Sequence, residues 1–205
     1  MSVDASLRVE NLSFVRFHKT LFQNLSFSLQ SGQLMTVEGV NGSGKTSLLR
    51  CLAGLYTEYS GRVEIRGNTP LLIGHDSGLS ERLSAVENLC WYAALRGLKC
   101  PQSDVRSALS RVGLQGLEQH PCGLLSAGQR SRVALARLLI EPASIWLLDE
   151  PEASLDKAGN QLFQELCQAH LKQGGLLALS THRPLEFSSA DLRICLNGQA
   201  TCVNA

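Results

Sequence analysis

The stretch GVNGSGKT, from Gly39 to Thr46, constrains this chain more than any other part of it. It meets the pattern of Gly, four residues, Gly, Lys and Ser or Thr at every required position. The apolar run QLMTVE comes before it, and Leu48, Leu49, Leu52 and Leu55 follow at helical spacing. A glycine-rich segment between a buried strand and a helix N-terminus turns backbone N–H groups inward and adds the positive end of the helix dipole. The product is an anion site. Gly39, Val40, Asn41, Gly42, Ser43, Gly44, Lys45, Thr46 and Ser47 are therefore the candidate phosphate contacts, with Lys45 reaching the outer phosphates and the Thr46 hydroxyl offered to Mg²⁺. A Gly-rich turn capping an ordinary helix is the plain alternative, and the complete match in this setting weighs against it.

Three further strings follow in order. IWLLDE, Ile145 to Glu150, is an apolar strand ending in two acids. Two carboxylates at a buried strand end are costly unless a cation and a reacting group need them. In the division of labour around a P-loop, Asp149 is expected to help hold Mg²⁺ and Glu150 to orient or deprotonate the attacking water. LSAGQ, Leu125 to Gln129, is on its face a capping box of Ser126 and Gln129 opening an amphipathic helix. A capped helix start is also an anion site, so Ser126, Gly128 and Gln129 can present donors to a γ-phosphate held by another chain. His182 lies just beyond the apolar strand GLLALS, at the edge where a parallel sheet carries its chemistry, and is a candidate γ-phosphate contact. His18, His75, His120 and His170 read as structural or solvated, since none has partners at metal-ligand spacing.

Length and composition bound the rest. A chain of 205 residues fits one domain able to bury its core without disulfides or structural metal. A formal charge of +1 argues against a surface built for a polyanion. Seven cysteines without a CxxC pair suggest a reducing compartment rather than a disulfide framework. The opening MSVDASLRVENL lacks the layout of a signal peptide, and no segment approaches the ~18 continuous apolar residues of a membrane span. If the protein works at a membrane, a partner is expected to hold it there.

The periodicity predicts hairpin strands over 7–37, short strands at RVEIR and PLLIG, and a helical block over 82–112, with Leu83, Val86, Leu89 and Tyr92 followed by a second periodic stretch around Val105, Leu109 and Val112. From Ser126 onward helix, strand, helix and strand alternate, the rhythm of a parallel α/β sheet.

With these motifs placed, the chain resembles the nucleotide-binding domains of ABC transporters over essentially its whole length. The resemblance implies a P-loop α/β fold with an N-terminal antiparallel β subdomain, a RecA-like parallel-sheet core and an inserted helical subdomain. In these terms 1–75 and 126–205 form the catalytic core with the β subdomain, and 76–125 the helical subdomain, all within one ABC ATPase domain. It also implies ATP and Mg²⁺ as cofactors, with ATP hydrolysis coupled to transport. The partners implied are a second copy in a head-to-tail dimer with two ATP molecules sandwiched at the seam, and integral membrane subunits at the cytoplasmic face of a bacterial inner membrane. SLD at 154–156 matches the loop linking the two protomers. LLIGH at 71–75, LSAVENL at 83–89 and GGLLALSTHRPL at 174–185 are most similar to the branch serving haem export in c-type cytochrome maturation.

One position departs from the family pattern. Where a Gln normally touches Mg²⁺ or the attacking water, this chain has Asp76. An Asp still suits the shell of a hard cation, though it adds charge and shortens the arm. For the aromatic that stacks on adenine, Phe17 and Phe14 are both candidates, and either can equally be core. The competing functional classes are an exporter of another substrate, a soluble ABC ATPase of the DNA-repair type, and a nonhydrolysing nucleotide-binding module. The short segment between Thr46 and Leu125 leaves no room for the long coiled coils of the DNA-repair class.

Overall fold

The computed structural model describes residues 5–181, 190–197 and 200–204. They fall into two compact units. The first takes the chain through Leu72, Ala143–Glu150 and the residues from Cys167 onward. Its strands β1 (Ser6–Arg16), β2 (Lys19–Gln30) and β4 (Ser60–Arg66) form an antiparallel sheet in the order β2-β1-β4. β3 (Leu34–Glu38), β5 (Leu71–Ile73), β6 (Ile145–Asp149), β7 (Leu176–Ser180), β8 (Leu192–Asn197) and β9 (Ala200–Asn204) form a second sheet in the order β5-β6-β7-β3-β8-β9. The pairs β6·β7, β7·β3 and β3·β8 are parallel, and β9 closes the edge antiparallel to β8.

The two sheets differ in how their sequences are buried. Every residue of β6 and β7 is buried, as expected of parallel strands covered on both faces. In β1 and β2 the alternation sends Leu7, Val9, Leu12 and Phe14, with Phe22, Leu25, Phe27 and Leu29, to one face. That face joins Met35, Val37, Leu48, Leu52, Ile145, Leu147 and Ile194 in a single core. Complete burial of each such side chain is worth about 1.5–3 kcal/mol. Helix α1 (Lys45–Leu52) belongs to this core through Leu48, Leu49 and Leu52.

The second unit comprises Ile73–Pro142 and Pro151–Leu166. Helices α2 (Ala85–Leu95), α3 (Gln102–Arg111) and α4 (Ala127–Ile140) pack on one another and bury Val86, Leu89, Val105, Leu109 and Val133. The unit therefore contains more than the segment 76–125, because α4 and the start of α5 (Lys157–Lys172) pack with it. The block 82–112 forms two helices, one on each of its periodic stretches. Gly97, at φ 67, closes α2 by donating its N–H to Ala94 while Leu98 donates to Ala93, and Pro101 then starts α3. The strands β8 and β9 have no counterpart in the sequence-based reading. No helix among the described residues is long and apolar enough to cross a membrane.

Candidate nucleotide site

Strand β3 delivers the chain into the loop Gly39–Gly44, and α1 begins at Lys45. Gly39 has φ 152, and a Cβ there would collide with the carbonyl oxygen of Leu196, so only glycine lets the loop leave the sheet this closely. Val40, Asn41 and Gly42 are exposed, whereas Ser43, Lys45 and Ser47 are buried and Thr46 is half-buried. The Ser43 hydroxyl has no hydrogen-bond partner among the described residues, although it is buried. A buried orphan donor inside a loop of inward N–H groups suits a phosphate oxygen.

Lys45 is only 5% exposed. Its ammonium donates to the Gly39 carbonyl at 2.8 Å and the Val40 carbonyl at 3.5 Å, and lies 3.4 Å from Glu150 Oε1. The cation is thus held inside its own loop, next to the acid assigned to the attacking water.

The two acids follow β6. Asp149, 1% exposed, accepts from the Thr46 hydroxyl at 2.6 Å and from the Ser180 hydroxyl at 2.5 Å. Glu150 has φ 51, a left-handed conformation that costs a non-glycine residue about 1–2 kcal/mol. Its N–H is held by the Ser180 hydroxyl at 3.0 Å and the Ser180 carbonyl at 3.2 Å. Ser180 faces Asp149 in the β6·β7 register. One hydroxyl therefore fixes both acids, a role that sequence reading did not give it. Thr46 and Asp149 offer hard oxygen atoms in contact with each other, a donor set that fits Mg²⁺. Lys45, Thr46, Asp149 and Glu150 are brought together; His182 lies outside the described residues.

The two aromatic candidates separate cleanly. Phe14 is core, stacked on Phe22 at 5.9 Å and on Tyr56 at 5.3 Å between ring centroids. Phe17 is 85% exposed at the β1–β2 turn. A Cβ on Gly44 would lie 3.1 Å from Leu21 Cβ, so β2 touches the phosphate loop four residues beyond Phe17. At the rise of a strand those four residues span about 13 Å.

In the second unit, Ser126 caps α4. Its hydroxyl accepts from Gln129 N–H at 3.2 Å, and Gln129 Oε1 accepts from Ser126 N–H at 2.9 Å. The capping box is real and leaves Ser126 exposed. Gly128 abuts the Ser154 carbonyl, where a Cβ would sit 3.0 Å away, and Arg132 pairs with Asp156 at 2.5 Å. A hydrogen bond from Gly159 N–H, then the Arg132 guanidinium, hold the Asp156 carboxyl below the usual range. Asp76 is exposed in the loop between β5 and α2. That loop is tied down by the Tyr92 hydroxyl donating to Gly78 at 2.7 Å, and by Asn88, which bonds both the N–H and the carbonyl of Ser80.

Of the remaining histidines, His170 is buried and stacks on Trp146 at 3.8 Å, 6° between planes. Its Nε2 lies 3.2 Å from the Leu176 carbonyl, and burial pulls its pKa down to about 4. It is a neutral donor holding β7, with no place in the chemistry.

Comparison with known proteins agrees with this geometry. The ABC transporter family profile matches residues 22–153. The chain is 43% identical to the cytochrome c biogenesis ATP-binding export protein CcmA of Methylococcus capsulatus, an alignment covering 89% of this chain and 94% of the relative. It is 40% identical to the CcmA of Yersinia pseudotuberculosis, over 97% of each chain. Among solved structures, an inward-facing putative metal-chelate type ABC transporter superposes with a TM-score of 0.80 at 26% identity, covering 98% of this chain and 83% of that one. A putative ABC transporter ATP-binding protein from Pyrococcus furiosus gives 0.76 at 25% identity, covering 93% and 97%. With its phosphate loop, acid pair and capped LSAGQ helix in place, the chain belongs to the ABC transporter family.

Proposed function

We propose that this chain is the ATP-hydrolysing subunit of the export complex that serves c-type cytochrome biogenesis. Its turnover would drive haem translocation or release of a haem-loaded chaperone. The connected set Thr46, Asp149, Ser180, Glu150 and Lys45 carries the reading, because each member is bonded to the next, as a phosphate-binding cation, a metal-ligating pair and a water-orienting acid would need to be. Identity to CcmA relatives over most of the chain supports the pathway.

In this mechanism the N–H groups of Gly39–Ser47 and the Ser43 hydroxyl bind the phosphates, and Lys45 turns from its loop carbonyls toward the γ-phosphate. The Phe17 ring carries the adenine. Thr46 and Asp149 would hold Mg²⁺, with Asp76 as a further oxygen ligand, and the metal would supply neutralisation of charge on the phosphates. Glu150 orients the attacking water and takes its proton, while Lys45 and His182 stabilise charge on the γ-phosphoryl group. Ser126, Gly128 and Gln129 of a second copy complete the site, so each γ-phosphate bridges two chains. ATP closes the dimer through that contact, and hydrolysis removes it. Integral membrane subunits of the CcmB kind, with CcmC-like ones, hold the pair at the cytoplasmic face of the inner membrane.

The test is genetic. Deleting the gene from its host should abolish covalent haem attachment to c-type cytochromes, with the wild-type chain restoring it and Glu150→Gln failing to. Normal c-type cytochromes in the deletion strain would contradict the proposal.

A further inference from the structure

The turn joining β1 to β2 rests on Phe17 and His18, with φ values of 49 and 60. Two successive left-handed residues have the φ signs of a type I′ turn, which ordinarily takes Asn or Gly. A phenylalanine gains nothing from that backbone, and its ring is solvent-facing. Holding an aromatic out of the core in a disfavoured conformation points to a contact that the ring exists to make.

One cation reaches this ring. The Arg16 guanidinium lies 5.2 Å from the Phe17 centroid and 5.5 Å from that of Tyr56. Tyr56 is anchored twice, by its stack on the buried Phe14 and by Arg50 Nη1 donating to its hydroxyl at 2.9 Å. Arg50 belongs to α1, the helix that opens with Lys45. A continuous set of contacts thus runs from the exposed ring through Arg16 and Tyr56 to the phosphate-loop helix.

We infer that Arg16 is a positioning residue for nucleotide binding: its guanidinium bridges the Phe17 and Tyr56 rings and so fixes the base platform at a set distance from the phosphate loop. The inference rests on the reading of Phe17 as the adenine platform. Arg16 acts through the ring rather than on the phosphates, so its removal should be felt only by ligands that carry a base.

The experiment measures equilibrium binding of ATP and of inorganic tripolyphosphate to the full-length chain and to Arg16→Ala and Phe17→Ala, together with ATP turnover. Loss of exposed cation–π contacts predicts that Arg16→Ala weakens ATP binding about two- to fivefold, with tripolyphosphate binding unchanged and the kinetic effect on KM rather than kcat. Phe17→Ala should lower ATP affinity at least as much. Unchanged ATP affinity in Arg16→Ala, or an equal loss for both ligands, would overturn the inference, the second result marking Arg16 as a plain phosphate cation. If Phe17→Ala binds ATP normally, the platform reading falls and the role of Arg16 with it. A loss in Phe17→Ala with none in Arg16→Ala removes Arg16 alone.

Discussion

Ser180 shows how much one hydroxyl can organise. It donates to Asp149 and accepts from the N–H of Glu150, the residue held in the left-handed region. Hydrogen bonds to charged groups are worth about 1.5–3 kcal/mol, so Ser180→Ala should lower Mg²⁺-ATP turnover by about ten- to a hundredfold, read as kcat in a steady-state assay, with ATP still bound. Wild-type kcat in that variant would show that the acids keep their places unaided. Sequence alone named the acids because two carboxylates after an apolar strand are conspicuous. It could not assign Ser180, since the link to Asp149 runs through the register of β6 with β7. The choice between Phe14 and Phe17 was closer to legible: Leu12 and Phe14 share one face of β1, and that face is the buried one.

Among elements, the strand leading to the acids is locked from behind. Trp146 of β6 stacks on His170 of α5, whose Nε2–H reaches the carbonyl of Leu176 at the start of β7. A Cβ on Gly175 would collide with the imidazole, so the α5–β7 turn is shaped around it. Because burial lowers the folded-state pKa from 6.5 to about 4, the unfolded chain binds more protons between those values. The contribution is fully present above the unfolded value and is lost as pH falls through that window. At pH 5 it should be about 2 kcal/mol smaller than at pH 7. Denaturant titrations of wild type and His170→Phe at the two pH values check this: the variant should lose that part of the pH dependence, and identical slopes would remove His170 as its source. α1, α4, β6 and β7 were readable because their periodicity or caps are local. β8 and β9 were not, since β8 is defined by parallel pairing with β3 far away in sequence. The division into α2 and α3 was readable in outline as two periodic stretches, with the turn between them set by Gly97 and Pro101.

At the scale of the molecule, the chemistry is split. The phosphate loop, Asp149 and Glu150 belong to one unit, and the LSAGQ helix start, with Ser126 exposed at its cap, belongs to the other. The helix N-terminus at Ser126 is exposed and capped, and the proposal that it meets the γ-phosphate of a second copy is what calls for two chains. The extent of the second unit was the least readable feature, because α4 joins it through packing that no local pattern announces. The central claim is that ATP joins two chains and its hydrolysis parts them. Light scattering of purified Glu150→Gln with Mg²⁺ and ATP tests this most directly. The variant should bind ATP, turn it over far more slowly than wild type and shift from monomer to a lasting dimer. A variant that stays monomeric with ATP bound, or hydrolyses ATP at the wild-type rate, would contradict the account.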